Sequence, residues 1–358
     1  MHCLVSIVIR EWSAVHAEVQ AQKRLLLDVA AGADLPRPPI FAAATGCLLV
    51  VDWDGGQVLA GLPLPKPTGF LLAGGRLQVA LWESDEIVTL EGTQISQRLG
   101  HPYFNHVHTL DRTPRGLLVS SSGSDLLAEI DESGALLWEY FLFEHGYGGS
   151  RFRFAQGFDR ARSYNRRYLP AALTTHPNSA LALPDGGVLA TLFSTGELVR
   201  IARPDGAPQV LLSGLRRPHA IRRRPAGGYM LCDTEGGTVV LLDEDLQIRE
   251  RCAVPAAWIQ DALLTDCDGE AEGRMLVVGN RRIAPSPLAA AASDAQGDNY
   301  VLELRRGTPT RRLSLGPESR IYMVEPIAKS DAESLAHAWR GADGSPALDT
   351  GFARWEPA

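Results

Sequence analysis

The chain is poor in cysteine, methionine and aromatic residues, and it has no long apolar run. Its five cysteines (Cys3, Cys47, Cys232, Cys252 and Cys267) are odd in number and show no CxxC spacing among 358 residues. That argues against a disulfide framework or a zinc ribbon and points to reduced, buried thiols in a cytoplasmic protein. No stretch approaches the roughly 18 apolar residues of a spanning helix. Leu4–Ile9 is apolar but follows no basic residues and precedes no small-residue cleavage site, so a secretory signal is not expected. There is no Walker loop, no GxSxG elbow, no HExxH and no acidic calcium loop. Positive charge is also short: Lys plus Arg number 35 against 42 Asp plus Glu, a net charge of −7. Such a balance speaks against general nucleic-acid or membrane-surface binding.

What the chain does have is a repeat. Thr68, His108, Asn178, His219 and Asp261 each stand a few residues before a Gly-rich turn that opens an apolar strand. Their spacings are 40, 70, 41 and 42. The long interval holds an insertion, residues 145–170, without which it shrinks to about 44. A period of about 40 residues is that of a four-stranded propeller blade. Third strands recur at Glu86–Leu90, Leu126–Ile130, Glu197–Ile201, Thr238–Leu242 and Tyr300–Leu304, and hairpin turns such as Glu132-Ser133-Gly134 and Asp185-Gly186-Gly187 fall between strands. The reading is an all-β, six-bladed β-propeller over residues 1–327, with seven blades the alternative if residues 38–64 and the termini form two. Leu4–Arg10 and Arg320–Val324 would close it. Ser13–Ala31 has helical spacing. Ser330 and Glu333 have capping-box spacing for a short helix, followed by a loosely held tail to residue 358.

Inner strands of a propeller converge on one axis, so residues in phase form a ring there. Strand alternation puts His106 with His108 and His176 with Asn178. The ring thereby gains imidazoles His108, His176 and His219 and the carboxylate of Asp261. That donor set suits one divalent transition metal (Zn, Fe or Mn) rather than calcium. The catalytic base would be metal-bound hydroxide, Asp261, or whichever of His106 and His108 does not ligate. Each histidine taken singly could be an ordinary hydrogen-bonded core residue, and Asp261 a turn carboxylate.

The insertion interleaves Arg151, Arg153, Arg160, Arg162, Arg166 and Arg167 with Phe152, Phe154, Phe158, Tyr164 and Tyr168. It reads as a lid over the axis. Arg151, Arg153, Arg166, Arg167 and Arg217 would bind a small anionic substrate, and Tyr164 would offer a stacking face. The plain alternative is a solvated loop that pairs with surplus carboxylates. Arg222-Arg223-Arg224 reads as a solvated edge.

Pro218-His219-Ala220-Ile221 and His108-Thr109-Leu110, each followed by a turn, resemble the pattern of NHL-type six-bladed propellers. Over residues 67–280 the chain is similar to peptidyl-hydroxyglycine amidating lyase, whose zinc is held by inner-strand histidines of separate blades. Asn178, with His176 two residues earlier, departs from that pattern. Streptogramin lyase and gluconolactonase-like propellers share the architecture and an axial metal. The resemblance implies a metal-dependent lyase or hydrolase; the alternatives are a non-catalytic interaction scaffold and a metal-independent His/Arg sulfotransferase-like enzyme.

Overall fold

In a computed structural model, the described residues are 1–18, 39–149, 152–167, 171–265, 273–281, 297–340 and 345–357. They form six antiparallel sheets, five of them built from short strands in sequence order and the sixth from both ends of the chain. The predicted third strands appear within a residue of their expected bounds, for example Leu126–Ile130 and Thr238–Leu242. The innermost strands are Arg320–Ile327, Pro67–Ala73, Val107–Thr113, Pro177–Ala182, His219–Arg223 and Ile259–Thr265, in blades 1 to 6. Each touches the next and the last touches the first, which closes a ring.

Blade 1 settles the count at six. Its strands are Arg320–Ile327, His2–Ile9, Gly46–Asp52 and Gln57–Leu64, from inside outward. The two ends of the chain and residues 46–64 therefore share one sheet, with Leu4 opposite Glu325 on one side and Val50 on the other.

Packing follows the alternation of the strands. Each blade face buries its aliphatic set against the next blade, giving one apolar cluster per seam. Leu276, Val278 and Val301 of blade 6 meet Val5, Leu49 and Val324 of blade 1. Leu118 and Leu127 of blade 3 meet Ala190 and Val199 of blade 4. At about 25 cal/mol per Å² of apolar surface removed from water, these seams dominate the folding drive.

Residues 12–18 are helical; the rest of the expected helix, 19–38, lies outside the described residues. A further one-turn helix spans Pro39–Ala43. The helix Lys329–Ala338 buries Ala332 and Ala336, spaced four apart, against blades 1 and 2. Its N-cap is Ala328, with no side-chain cap, so Ser330 and Glu333 do not form the expected capping box. The expectation of a loose tail fails for Arg354–Pro357, which adds a fifth strand to blade 6. There Trp355 packs edge-on to Trp53 at 5.0 Å, beneath the Arg311 guanidinium.

Candidate functional site

Every inner strand breaks register at the same phase. The break falls after Pro67 in blade 2, at His108, at Asn178, after His219, at Gln260 and at Tyr322 in the blades that follow. A β-bulge adds one residue and re-aims a side chain. Six triplets result, each a mouth residue, a spacer and a ring residue: 66–68, 106–108, 176–178, 217–219, 258–260 and 320–322. The ring reads Thr68, His108, Asn178, His219, Gln260, Tyr322, and the mouth reads Lys66, His106, His176, Arg217, Trp258, Arg320. Four mouth residues have positive φ without being glycine: Lys66 (52°), His106 (51°), His176 (58°) and Arg217 (58°). Such backbone costs on the order of 1–3 kcal/mol each and persists where surrounding structure holds it. Here carboxylates at the corners after the second strands do so. Asp85 accepts from the His106 N–H at 2.7 Å, Asp125 from that of Thr175 at 3.0 Å, and Asp233 from that of Arg216 at 2.6 Å. Gly69 permits the close seam, since a Cβ there would lie 2.6 Å from the His108 carbonyl oxygen.

The ring residues Asn178, His219, Gln260 and Tyr322 line an axial cavity of about 270 Å³. Above it the imidazoles gather among aromatic rings. His108 lies edge-on to His176 at 5.1 Å and to Tyr322 at 5.7 Å. Phe193 contacts His176 at 5.3 Å and His219 at 5.4 Å, and Trp258 contacts His219 at 5.7 Å.

Hydrogen bonds fix two tautomers. His219 Nδ1 faces the Arg217 carbonyl at 2.9 Å and Thr234 Oγ1 at 2.8 Å. The Thr234 hydroxyl donates to the Ile259 carbonyl at 2.8 Å, so both groups accept from His219. Nδ1 of His219 therefore carries the proton and Nε2 is a bare lone pair. His108 repeats this, its Nδ1–H donating to the His106 carbonyl at 2.8 Å. His176 Nδ1 is buried without a partner. Burial holds all three neutral. His219 falls to about 3, chiefly by desolvation; the Arg217 carbonyl opposes this, while His108, Arg320 and Arg217 push the same way. Desolvation takes His108 to about 4 and His176 well below its ordinary value.

Several expected site residues lie elsewhere. His106 does not share the axis with His108; its ring packs edge-on to Trp82 at 5.1 Å, and its carbonyl orients His108. Asp261 is one residue beyond the ring position, and one step along a strand reverses the side chain. Its carboxylate takes a bidentate pair from Arg222, at 2.8 and 2.6 Å, plus the Val324 N–H at 2.9 Å. Both oxygens are thereby engaged in holding Arg222 and the inner strand of blade 1. Arg222, expected on a solvated edge, instead lines the cavity and joins Asp261 to Glu325 across blades 5, 6 and 1.

The described part of the insertion is pinned in place. Asn105 Nδ2 donates to the carbonyls of Tyr164 (2.7 Å) and Arg167 (3.0 Å), and Asp85 accepts from the Arg166 N–H at 2.6 Å. Tyr164 is wholly buried with Phe154 and Leu173, so it offers no stacking face. Arg160 pairs with Glu139 and Glu144. Arg153 and Arg166 are exposed, and Arg167 lies over the Tyr164 ring at 5.6 Å. Arg151 lies outside the described residues. Arg217 does reach the site, over Phe193 at 5.3 Å and Trp258 at 5.8 Å, while pairing with Glu235 at 3.2 Å. Trp258, Phe193, Tyr322 and Arg320 were missed as site residues. The signal for the mouth and ring members was the triplet Arg217-Pro218-His219, which aligns with Trp258-Ile259-Gln260 and Arg320-Ile321-Tyr322.

Among the described residues, no group of three or more His, Cys, Asp or Glu side chains is arranged to hold a metal ion. The pair His108 and His176 comes nearest. Two imidazoles on one tetrahedral ion at metal–nitrogen distances of about 2.0–2.1 Å would have centroids about 5.2 Å apart, close to the 5.1 Å found. Phe193 stands between His176 and His219, so the third ligand is not gathered.

No family profile matches the chain, and no curated protein matches it either. Solved structures do resemble it. A protein of unknown function from Bacteroides caccae shares 13% identity, with 92% of this chain and 99% of that one covered and a TM-score of 0.52. A chain of a nidogen/laminin complex shares 8%, over 90% and 97%, with a TM-score of 0.54. A catalytically inactive virginiamycin B lyase from Staphylococcus aureus, with quinupristin, shares 10% over 79% and 92%, with a TM-score of 0.48. The chain is a six-bladed β-propeller. Identities this low show fold and nothing finer, so function must be argued from the axial residues themselves.

Proposed function

We propose that this propeller is an enzyme acting on a small anionic substrate at the histidine end of its axis, by lyase or hydrolase chemistry. The observation that carries the reading is His219. Its Nδ1–H is held by two acceptors, and its Nε2 lone pair is left as a general base beside a cavity. An imidazole oriented through its far nitrogen by fixed acceptors is the arrangement a base needs. A base near 3 is weak at neutral pH, but the causes include the positive charges of Arg217 and Arg320. A bound anion offsets those charges and moves His219 toward the useful range. Tyr322, half-buried and held well above its ordinary value by desolvation, stays protonated as a donor facing the same space. Four described cysteines, none in a disulfide, accord with a reducing cytoplasm.

The test is turnover against a panel of carboxylate-bearing esters, lactones and β-substituted acids. His219→Gln should lower kcat by about 10²–10⁴-fold with the fold intact. A panel with no turnover, or equal rates in His219→Gln, would contradict the reading.

The spacing of His108 and His176 supports a second reading, in which these two imidazoles hold a divalent transition metal that polarises a substrate oxygen, with His219 kept apart by Phe193. Elemental analysis of the purified protein should then find near one equivalent, lost in His108→Gln and His176→Gln. Absence of metal together with melting unchanged by chelator would sink this version alone.

A further inference from the structure

Arg320 occupies the mouth position of blade 1, opposite Ile9, between two indoles. Its guanidinium carbon lies 5.0 Å from the Trp12 ring centre and 4.8 Å from that of Trp258. A guanidinium has five N–H donors. Among the described residues Arg320 makes one long hydrogen bond, at 3.4 Å, to Gln260 Oε1, which already accepts from Trp258 Nε1 at 2.9 Å. No described carboxylate pairs with it. Three other arginines withdrawn from water have acidic partners: Arg222 has Asp261 and Glu325, Arg274 has Asp54 and Glu303, and Arg281 has Glu318. Desolvation alone pulls Arg320 down to about 9, with no opposing carboxylate. Beside it, the Trp12 indole N–H is buried and makes no hydrogen bond to a described residue. Two neighbouring donor groups that share one long hydrogen bond between them mark a missing anion, because a cation withdrawn from water without a counter-charge is costly.

We propose that Arg320 and the indole N–H of Trp12 anchor a carboxylate group of the substrate at the mouth of the axis. This rests on the reading of the axis as the site of a small anion, and it names the anion's chemistry and its grip. One cation without a counter-charge matches one negative charge, and a planar guanidinium fork matches a planar carboxylate. A phosphate dianion would need further donors. Arg217 is no substitute, since it already pairs with Glu235 and is half exposed. The anchor also sets direction. Trp258 leads from Arg320 to His219, and Tyr322, two residues along the strand, leads to His108. A carboxylate held at Arg320 therefore hands the rest of the molecule to the imidazoles, and its charge offsets one of the cations that depress His219.

Calorimetric titration of the full chain with benzoate, at ionic strength matched with sodium chloride, tests the anchor. Saturable benzoate binding is expected, weakened at least tenfold in Arg320→Met and severalfold in Trp12→Phe, and unchanged in Arg160→Gln. Benzamide should not bind. Binding in Arg320→Met within twofold of wild type, or no saturable binding by wild type, overturns the proposal. Sulfate or phosphate binding tighter than benzoate overturns the carboxylate assignment. Arg320→Met should melt at or above the wild-type temperature, because it removes an uncompensated charge; a melt lowered by more than about 5 °C would mean a structural counter-charge exists and would also overturn it. Benzoate binding reports the anchor and turnover in His219→Gln reports the base, so either can fail while the other stands.

Discussion

Arg222 pairs with Asp261 and Glu325 inside the axis, and each oxygen of the aspartate is used. Breaking a buried pair from one side leaves a charge without compensation. Arg222→Met should therefore destabilise by roughly 3–5 kcal/mol in urea unfolding, and Asp261→Asn by less, since Arg222 keeps Glu325. Equal or negligible losses would show the clamp to be idle. Position 261 also shows where sequence reading stops. The repeat put a polar residue at or near the right phase in five blades, but the bulged residue of blade 6 is Gln260, and Asp261, one step further on, is turned away from the ring. Periodicity alone carries no mark of a bulge. The histidines were legible because three blades repeat the pattern, whereas Arg320 and Tyr322 were hidden by a spacing stretched by the loop before them. The titration of the ring follows from burial. In metal-free protein His108 and His219 have folded values near 4 and 3, below the ordinary 6.5. Their stabilising share is present above pH 6.5 and is lost as pH falls through those values. His219→Gln should flatten the acid limb of the stability curve below pH 6.5; an unchanged limb would contradict the burial argument.

Between blades, the corner carboxylates do the aligning. Asp85 holds the N–H of His106 and that of Arg166, tying the mouth of blade 3 and the insertion to blade 2. Asp85→Ala should free the insertion, and limited proteolysis should cut within residues 145–170 several times faster than in wild type. Equal rates would mean that Asn105 and Asn165 suffice to pin it. Asp125, wholly buried and receiving Thr175, is pushed up to about 7 by desolvation, with those hydrogen bonds opposing. Its folded value lies above the ordinary 3.8, so its contribution is full below pH 3.8 and fades as pH rises to 7. The stability lost in Asp125→Asn should then shrink between pH 4 and pH 7; a loss that grows over this range would contradict the assignment. The arginine-rich insertion was visible in the sequence as an irregular interval. Its pinned, inward-packed form was not, because Tyr164 and Phe154 build a local core that composition cannot distinguish from a stacking surface.

Across the whole molecule, the seam between blades 1 and 6 joins the first and last strands of the chain. Leu276, fully buried there, should cost about 2–5 kcal/mol on change to alanine, while Val210→Ser on the surface should stay within about 0.5 kcal/mol. Closure by both termini was readable from two unpaired strand-like ends, and it is what carries six inner strands to one axis. That convergence gives His108 and His219 their shared setting: neutral imidazoles with Nδ1 protonated and Nε2 bare. Long-range ¹H–¹⁵N correlation spectra of histidine-labelled, metal-free protein measure this directly. The Nδ1–H tautomer is predicted for both residues, with no titration above about pH 5. An Nε2–H tautomer at His219, or titration of either ring near 6.5, would contradict the account.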